Sequence, residues 1–110
     1  MNPPHPPTAS LSPATAPPLA GYKIVDMSTV LMGPVATQVL GDYGADVIKV
    51  EPPDGDVMRH AGAARTSRMG AMYLANGRNK RSIVLDIKQP EGKRALLRLC
   101  ESADLFIHNV

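Results

Sequence analysis

The 110-residue sequence has few of the residues that disulfide and metal sites require. It contains a single cysteine, Cys100, which excludes an internal disulfide framework and suits a reducing cytosol. Its three histidines, His5, His60 and His108, are far apart, and no Cys or His spacing matches a zinc or haem site. We therefore predict no metal site and no permanently bound cofactor.

Two common catalytic signatures are also missing. The first predicted turn between a strand and a helix, residues 28–33, has one glycine, whereas a dinucleotide site of the Rossmann type needs G-x-G-x-x-G. Glu51 ends a predicted strand at the usual place of a ribose-binding acid, but such an acid alone is more often a solvated strand end. There is no G-x-S-x-G elbow either, so NAD or FAD binding and serine hydrolysis are disfavoured.

Charge and long apolar runs are absent where a targeting or membrane segment would need them. No apolar run approaches the roughly 20 residues that span a bilayer. The first twenty residues hold seven of the eleven prolines and no Asp, Glu, Lys or Arg. We predict a disordered Pro-rich lead over residues 1–20, either a spacer or a ligand for a proline-binding module, and at most one domain over residues 21–110. We expect a soluble, cytoplasmic protein.

The charges that are present are segregated along the chain. Residues 26–56 hold six acids against one base, Lys49, whereas residues 57–85 hold six bases and no acid. This pattern favours a polyanionic ligand near the second segment, with a solvated loop as the alternative. Arg78, Lys80 and Arg81 form a basic turn that suits phosphate oxygens. Nucleic acid could use the same charges, but Tyr73 is the segment's one aromatic residue, so a stacking platform is lacking.

Hydrophobic periodicity predicts alternating strands and helices. Val35, Val39, Leu40 and Tyr43 recur at a helical period, between Pro34 in a first turn and Gly44 at a left-handed stop. We predict an irregular connection over residues 54–78, with one or two helical turns at 70–75. The predicted strands are residues 24–27, 46–51, 82–87 and 105–107, and the second helix is residues 90–102, with Ala95, Leu96, Leu99 and Cys100 facing inward.

Strand, helix and strand in close succession make βαβ units and a parallel sheet, whose ligand crevice lies at the carboxyl ends of the strands. The predicted fold class is α/β, a Rossmann-like parallel sheet with flanking helices. No helix follows the last strand to cover that part of the sheet. Because parallel sheets are normally covered on both faces, we expect a fold that is incomplete at its C-terminus, the front part of a larger protein.

Motifs such as GADVIKVEPP at residues 44–53, NKRS at 79–82 and LDIK at 85–88 occur in order along the chain. Together they resemble the amino-terminal part of the family III coenzyme A transferases (CaiB/BaiF type). The family includes formyl-CoA transferase, carnitine CoA-transferase and α-methylacyl-CoA racemase. The resemblance covers residues 21–110, and ordered motifs over ninety residues are far more specific than any one of them. The matching segments are residues 24–28, 33–34, 36–38, GADVIKVEPP at 44–53, 55–56 with Arg59, NKRS at 79–82, LDIK at 85–88, 90–92 and 103–106 before Asn109.

The resemblance implies that acyl-CoA lies along the strand ends of a large Rossmann-like domain. The position after Glu51 is an arginine that meets CoA in some members, but it is Pro52 here, so that contact is lost or supplied by Arg59 or another cation. By the same resemblance, the residues expected to border CoA are Val30 and Leu31 after the first strand, Arg59, Arg81, Leu85, Asp86, Ile87 and Lys88, and finally Asn109 and Val110 at the start of the next lining loop.

The resemblance also implies the chemistry and the assembly. Transferases of this family use an aspartate nucleophile that lies beyond Val110, so no acid of this chain inherits that role and the chain alone should be inactive. Asp26, Asp46 and Asp86 are instead explained by strand ends and turns. CoA would move between acyl-CoA and a carboxylic acid in an interlocked homodimer. An acyl-CoA racemase of the same family and a non-catalytic nucleotide or nucleic-acid binding module stay open as alternatives.

Overall fold

The computed structural model describes residues 15–110, in which strands and helices alternate. The elements are β1 (Lys23–Asp26), α1 (Met32–Asp42), β2 (Asp46–Glu51), a 3-10 helix (Val57–His60), α2 (Ala71–Asn76), β3 (Lys80–Val84), α3 (Pro90–Glu101) and β4 (Leu105–Ile107). Of the predicted lead, residues 1–20, the first fourteen lie outside the described residues. Its last part contacts the fold, because Leu19 packs on the core beside Ile24 and its N–H donates to the carbonyl of Tyr43 at 2.9 Å.

The four strands form one parallel sheet in the order β3-β2-β1-β4. β1 and β2 are central, and in their register Ile24 lies opposite Val47 and Asp26 opposite Lys49. β3 and β4 flank them, each reached through a helical connection. The predicted α/β fold with a parallel sheet is confirmed.

Alternate residues of β1 and β2 build two separate cores. Ile24 and Val47 pack with Leu40 of α1 on one face of the sheet. Val25 and Val50 pack with Leu96 of α3 on the other face. The inward positions predicted for the second helix agree with this arrangement, since Leu96 is buried and its predicted neighbours are partly buried.

Helix α1 forms where the sequence predicted it, but of the four apolar residues that indicated it, Leu40 packs on the sheet and the other three are exposed. Val35, Val39 and Tyr43 are 37%, 44% and 54% exposed, whereas Thr37 and Gly41 are buried. Small residues let the helix lie close to the strands, and Thr37 supplies a hydroxyl that the buried end of β1 requires. The periodicity therefore located the helix without identifying its packed face.

The third strand begins and ends earlier than predicted. It covers Lys80–Val84 rather than residues 82–87. Its pairing partner β2 ends at Glu51, and the two prolines that follow have no N–H to extend the ladder. The N–H of Leu85 makes a last hydrogen bond to the carbonyl of Glu51 at 2.9 Å, and the chain then turns away. The apolar residues after Val84 thus belong to a loop.

Candidate functional site

A cleft of about 390 Å³ lies at the carboxyl ends of the strands, on the α3 side of the sheet. We call it the strand-end cleft. Parallel α/β sheets bind ligands at this edge because the loops after neighbouring strands meet there. Its walls come from the ends of β1 and β2 and from the loop after β3, and they consist of Met27, Thr29, Val50, Glu51, Pro52, Pro53, Asp54, Leu85, Asp86, Ile87, Lys88 and Val110.

Half of the ten residues predicted to border CoA line the strand-end cleft. They are Leu85, Asp86, Ile87, Lys88 and Val110. Val30 and Leu31 follow Thr29 in the turn that leads into α1, and both are partly exposed. The structure thus brings the segment 85–88 and the residue after Asn109 to the same edge of the sheet, although about twenty residues separate them in sequence.

The loop of residues 85–88 is held in place by short-range contacts. The Asp86 carboxylate accepts a hydrogen bond from the N–H of Lys88 at 3.1 Å, and the Asp86 carbonyl accepts one from the N–H of Gln89 at 3.0 Å. Gly92, in the first turn of α3, lies so close that a Cβ there would be 2.0 Å from the Asp86 carbonyl oxygen. The helix start therefore fixes the position of this wall of the cleft.

Arg59 does not line the cleft, contrary to its predicted role. Its guanidinium donates hydrogen bonds to both carboxylate oxygens of Glu51, at 2.8 and 2.7 Å, and it lies 3.9 Å from the ring centre of Tyr73. Glu51 is 1% exposed, so the prediction of a solvated strand end was also wrong. Strand β2 places Glu51 on the α1 face, where its charge needs a buried partner and Arg59 provides it.

Arg81 also lies away from the cleft. It is the second residue of β3, and its guanidinium contacts both carboxylate oxygens of Asp46 at 2.8 and 2.7 Å. Asp46 is the first residue of β2, so this pair is at the amino ends of the strands, the opposite edge of the sheet. Arg81 is therefore remote from the strand-end cleft, and charge alone could not show at which end of its strand it lies.

The segregated charges of the sequence pair with one another. Four of the six bases in residues 57–85 form ion pairs with acids of residues 26–56. The pairs are Arg59–Glu51, Arg78–Asp42, Lys80–Asp26 and Arg81–Asp46. Most of the positive charge that favoured a polyanionic ligand is therefore already matched by carboxylates within the fold.

Two of the ionic contacts, Lys80–Asp26 and the additional pair Lys49–Asp56, are buried beneath α1. The Lys80 ammonium is 3.2 Å from the Asp26 carboxylate, and the Lys49 ammonium is 2.8 Å from that of Asp56, with all four side chains at most 4% exposed. Burial opposes the charge of Asp26, but hydrogen bonds from Ser28 and the nearby Lys80 outweigh it and lower the pKa of this carboxyl. Burial likewise lowers the pKa of Lys80, against the attraction of Asp26. Asp26 is a strand end, as predicted.

The turn from β1 to α1 contains a residue with a strained backbone and is held by contacts from other elements. Val30 adopts a left-handed backbone with φ 71°, which is unfavourable for a β-branched residue. Its N–H lies 3.4 Å from a carboxylate oxygen of Asp56, and the Ser28 carbonyl accepts a hydrogen bond from Lys49 at 3.1 Å. The sequence predictions missed Lys49 and Asp56. A lysine within the apolar run of β2 was the available signal, because a strand buried on both faces tolerates a charge only with a partner.

Asn109 contacts this turn from the other end of the chain. Its side-chain oxygen accepts a hydrogen bond from the Thr29 N–H at 3.0 Å, and its Nδ2 donates to the Thr29 carbonyl at 2.8 Å. Asn109 was predicted to begin a lining loop for CoA. The structure joins it to the turn bordering the strand-end cleft, while Val110 lines the cleft itself.

Within residues 15–110, no three His, Cys, Asp or Glu side chains are grouped so as to hold a metal ion. None of the helices in the same range has the length and apolar content of a membrane span.

Comparison with known proteins identifies the family to which this fold and cleft belong. The model of CoA-transferase family III matches residues 19–110. The chain is therefore a member of CoA-transferase family III, as the resemblance of its motifs indicated. In this member of the family, five of the ten residues expected to border CoA line the strand-end cleft.

The matching proteins are CoA-transferases and a structure of the same family. A succinate–glutarate CoA-transferase of Agrobacterium fabrum is 45% identical over 104 residues, which cover 88% of this chain and 26% of that protein. A human succinyl-CoA:glutarate CoA-transferase is 45% identical over 93 residues, covering 84% and 21%. The crystal structure of a CAIB/BAIF family protein from Brucella suis superposes with a TM-score of 0.79 at 42% identity, covering 84% of this chain and 26% of that one. The chain thus spans about a quarter of these relatives.

Proposed function

We propose that the protein carrying this chain is a CoA-transferase that moves CoA between an acyl-CoA and a carboxylic acid. Residues 21–110 form the amino-terminal part of its large CoA-binding domain. The observation that carries the proposal is the strand-end cleft, which five predicted CoA-bordering residues line in a chain of CoA-transferase family III.

The composition of the cleft suits a ligand that is partly apolar and partly anionic. Apolar side chains such as Val50, Leu85 and Ile87 form much of the wall, a suitable surface for the adenine ring or the pantetheine arm. Among the described residues that line the cleft, Lys88 is the one cation, and it is exposed, so that it can meet a phosphate as a point charge. Asp54 and Asp86 beside it would repel additional negative charge, so we expect one phosphate group to be held here.

In this proposal, the nucleophile of the reaction lies in the part of the full-length family members that this chain does not cover. The most deeply buried acids of the described chain, Asp26, Glu51 and Asp56, each contact a cation within the fold. A carboxylate that attacks a thioester must instead face the ligand in a dry pocket with a site for the developing oxyanion. We therefore expect residues 1–110 to bind part of CoA and to have no transferase activity by themselves.

Dicarboxylic acids are the proposed substrates. The relatives include enzymes named for succinate with glutarate and for succinyl-CoA with L-malate. These names favour transfer over racemisation, and they indicate four- and five-carbon acids as donor and acceptor. We further propose a cytoplasmic protein that acts as an interlocked homodimer, which light scattering would detect as twice the subunit mass.

Incubation of the full-length protein with succinyl-CoA and either glutarate or L-malate tests the proposal. We expect glutaryl-CoA or malyl-CoA by liquid chromatography, and an intact-mass adduct of CoA size on the protein that borohydride removes by reduction. An unmodified protein that exchanges the α-proton of a branched acyl-CoA for deuterium would instead establish a racemase. A protein that performs neither reaction, and binds no CoA by calorimetry, would leave only a non-CoA binding role.

A further inference from the structure

Asn109, near the end of the described chain, binds a single backbone unit in the turn after β1. The amide side chain of Asn109 makes two hydrogen bonds, and both go to the main chain of Thr29, eighty residues earlier. One runs from the Thr29 N–H to the asparagine oxygen, and the other from Nδ2 to the Thr29 carbonyl. An asparagine side chain used in this way imitates a neighbouring strand, because it satisfies the donor and the acceptor of one residue together.

The turn held by Asn109 has a strained backbone, so it should change conformation when the hydrogen bonds from Asn109 are lost. Val30, the next residue, is in the left-handed region with φ 71°, a conformation that persists only where the surroundings impose it. Other contacts on this turn come from Asp56, which is 3.4 Å from the Val30 N–H, and from Lys49, which donates to the Ser28 carbonyl at 3.1 Å. The Asp26 carboxylate accepts a hydrogen bond from the Ser28 N–H at 2.9 Å, so it fixes the start of the turn but does not reach Thr29 or Val30. The free energy of the two hydrogen bonds from Asn109 is similar in size to the strain energy of one left-handed residue. The loss of the Asn109 side chain is therefore enough to let the turn change its conformation.

Thr29 connects this turn to the ligand site. It lines the strand-end cleft, and so does Val110, the residue that follows Asn109. Asn109 itself is not among the residues that line the cleft. We infer that Asn109 is a positioning residue for CoA: its amide fixes the strained turn of residues 28–31, the turn shapes one wall of the cleft, and the asparagine need not touch the ligand. This inference rests on the proposed CoA site.

A double-mutant cycle between Asn109 and Val30 distinguishes positioning from direct contact. Val30→Gly removes the backbone strain, because glycine adopts positive φ without a steric penalty. In the full-length protein, calorimetry should give Asn109→Ala a CoA affinity about tenfold below wild type, whereas the same change in the Val30→Gly background should cost less than about threefold. Equal losses in the two backgrounds would mean that Asn109 acts on the ligand directly and would overturn the inference.

Hydrogen–deuterium exchange tests the clamp without any ligand. Peptides that contain Thr29 and Val30 should exchange about tenfold faster in Asn109→Ala than in wild type. Gln38→Ala is the matched control, since Gln38 also has an amide that donates to a backbone carbonyl, that of Ala75 at 3.0 Å, but lines no part of the cleft. Unchanged exchange at residues 29–30 would refute the clamp. A wild-type protein that fails to bind CoA would instead refute the proposed function.

Discussion

The guanidinium of Arg59 and the carboxylate of Glu51 form a two-point contact, with N–O distances of 2.8 and 2.7 Å, beneath the loop that follows β2. Burial opposes ionisation of Glu51, but Arg59, Ser82, the Asp56 N–H and Tyr73 outweigh it and lower the pKa of Glu51 from 4.5 to about 2. The Glu51 hydrogen bond raises the pKa of Arg59 in turn. This pair, which the sequence did not suggest, makes the fold sensitive to acid.

Glu51→Gln should therefore flatten the acid limb of the stability curve. A carboxyl whose folded pKa is depressed stabilises the fold fully above its unfolded pKa of 4.5, and this contribution is lost as the pH falls towards about 2. The shift corresponds to roughly 3 kcal/mol at neutral pH. Urea denaturation between pH 2 and 7 would measure it. Glu91→Gln, at an exposed helix position, should behave as wild type, and an unaltered acid limb in Glu51→Gln would contradict the assignment.

Lys80→Met should destabilise the protein strongly, because it leaves the Asp26 carboxylate buried without its cation. Removing one partner of a buried ion pair typically costs about 3–5 kcal/mol. The double variant Asp26→Asn/Lys80→Met removes both charges and should regain part of that loss. Chemical denaturation measures all three variants.

Arg78→Met is the control for Lys80→Met, since the Arg78–Asp42 pair also joins a cation to an aspartate but at an exposed position. It should remain close to wild type, because solvent screens such pairs. A double variant that is as unstable as Lys80→Met would show that the cost comes from packing around Lys80 rather than from the unpaired charge.

Lys88→Ala should weaken CoA binding by about three- to tenfold, as expected for the loss of one charged contact to a phosphate. Lys88 lines the strand-end cleft, whereas Arg81 is paired with Asp46 at the opposite edge of the sheet. Arg81→Ala should accordingly leave the dissociation constant for CoA unchanged in calorimetry. A stronger effect from Arg81 than from Lys88 would place the ligand elsewhere.

Gly92→Ala should lower both stability and CoA affinity. The added Cβ would lie 2.0 Å from the Asp86 carbonyl oxygen, so α3 or the loop of residues 85–88 must move. Alanine favours helix over glycine by about 1 kcal/mol, so a net loss of roughly 1–3 kcal/mol in thermal or chemical denaturation would identify a steric cause. Lys93→Ala, at the next position and exposed, should change neither quantity. A Gly92→Ala protein that is more stable than wild type would refute the close contact.

Local pattern was enough to predict much of this fold. β2 and β4 lie at the predicted residues, and α3 is one residue shorter than its prediction, because apolar runs bounded by Gly, Pro or Ser are strong signals. The end of β3 was missed because it depends on where β2 stops. Periodicity found α1, but the face that packs was decided by what the sheet beneath requires, a hydroxyl from Thr37 and the small size of Gly41.

The candidate site was predictable to a similar extent. Leu85 and Lys88 were expected at the cleft from the family resemblance, and the parallel topology brings the end of β3 to the same carboxyl edge of the sheet. The roles of Arg59 and Asn109 could not be obtained in this way. Each depends on a partner fixed by the fold, Glu51 at 2.7 Å and Thr29 at 2.8 Å, and the second of these lies eighty residues away.

The alternation of β2 between charged and apolar residues has a consequence for folding. On the α1 side it presents Val47, Lys49 and Glu51, and Val50 faces the opposite core. If this strand slipped by one residue, Lys49 and Glu51 would enter the apolar core around Leu96, which offers them no counter-ion. Val50 would then face a carboxylate without its partner. A misaligned sheet is therefore less stable by several kcal/mol for each charge that is buried without a partner. The buried ions thus favour the native strand register during folding.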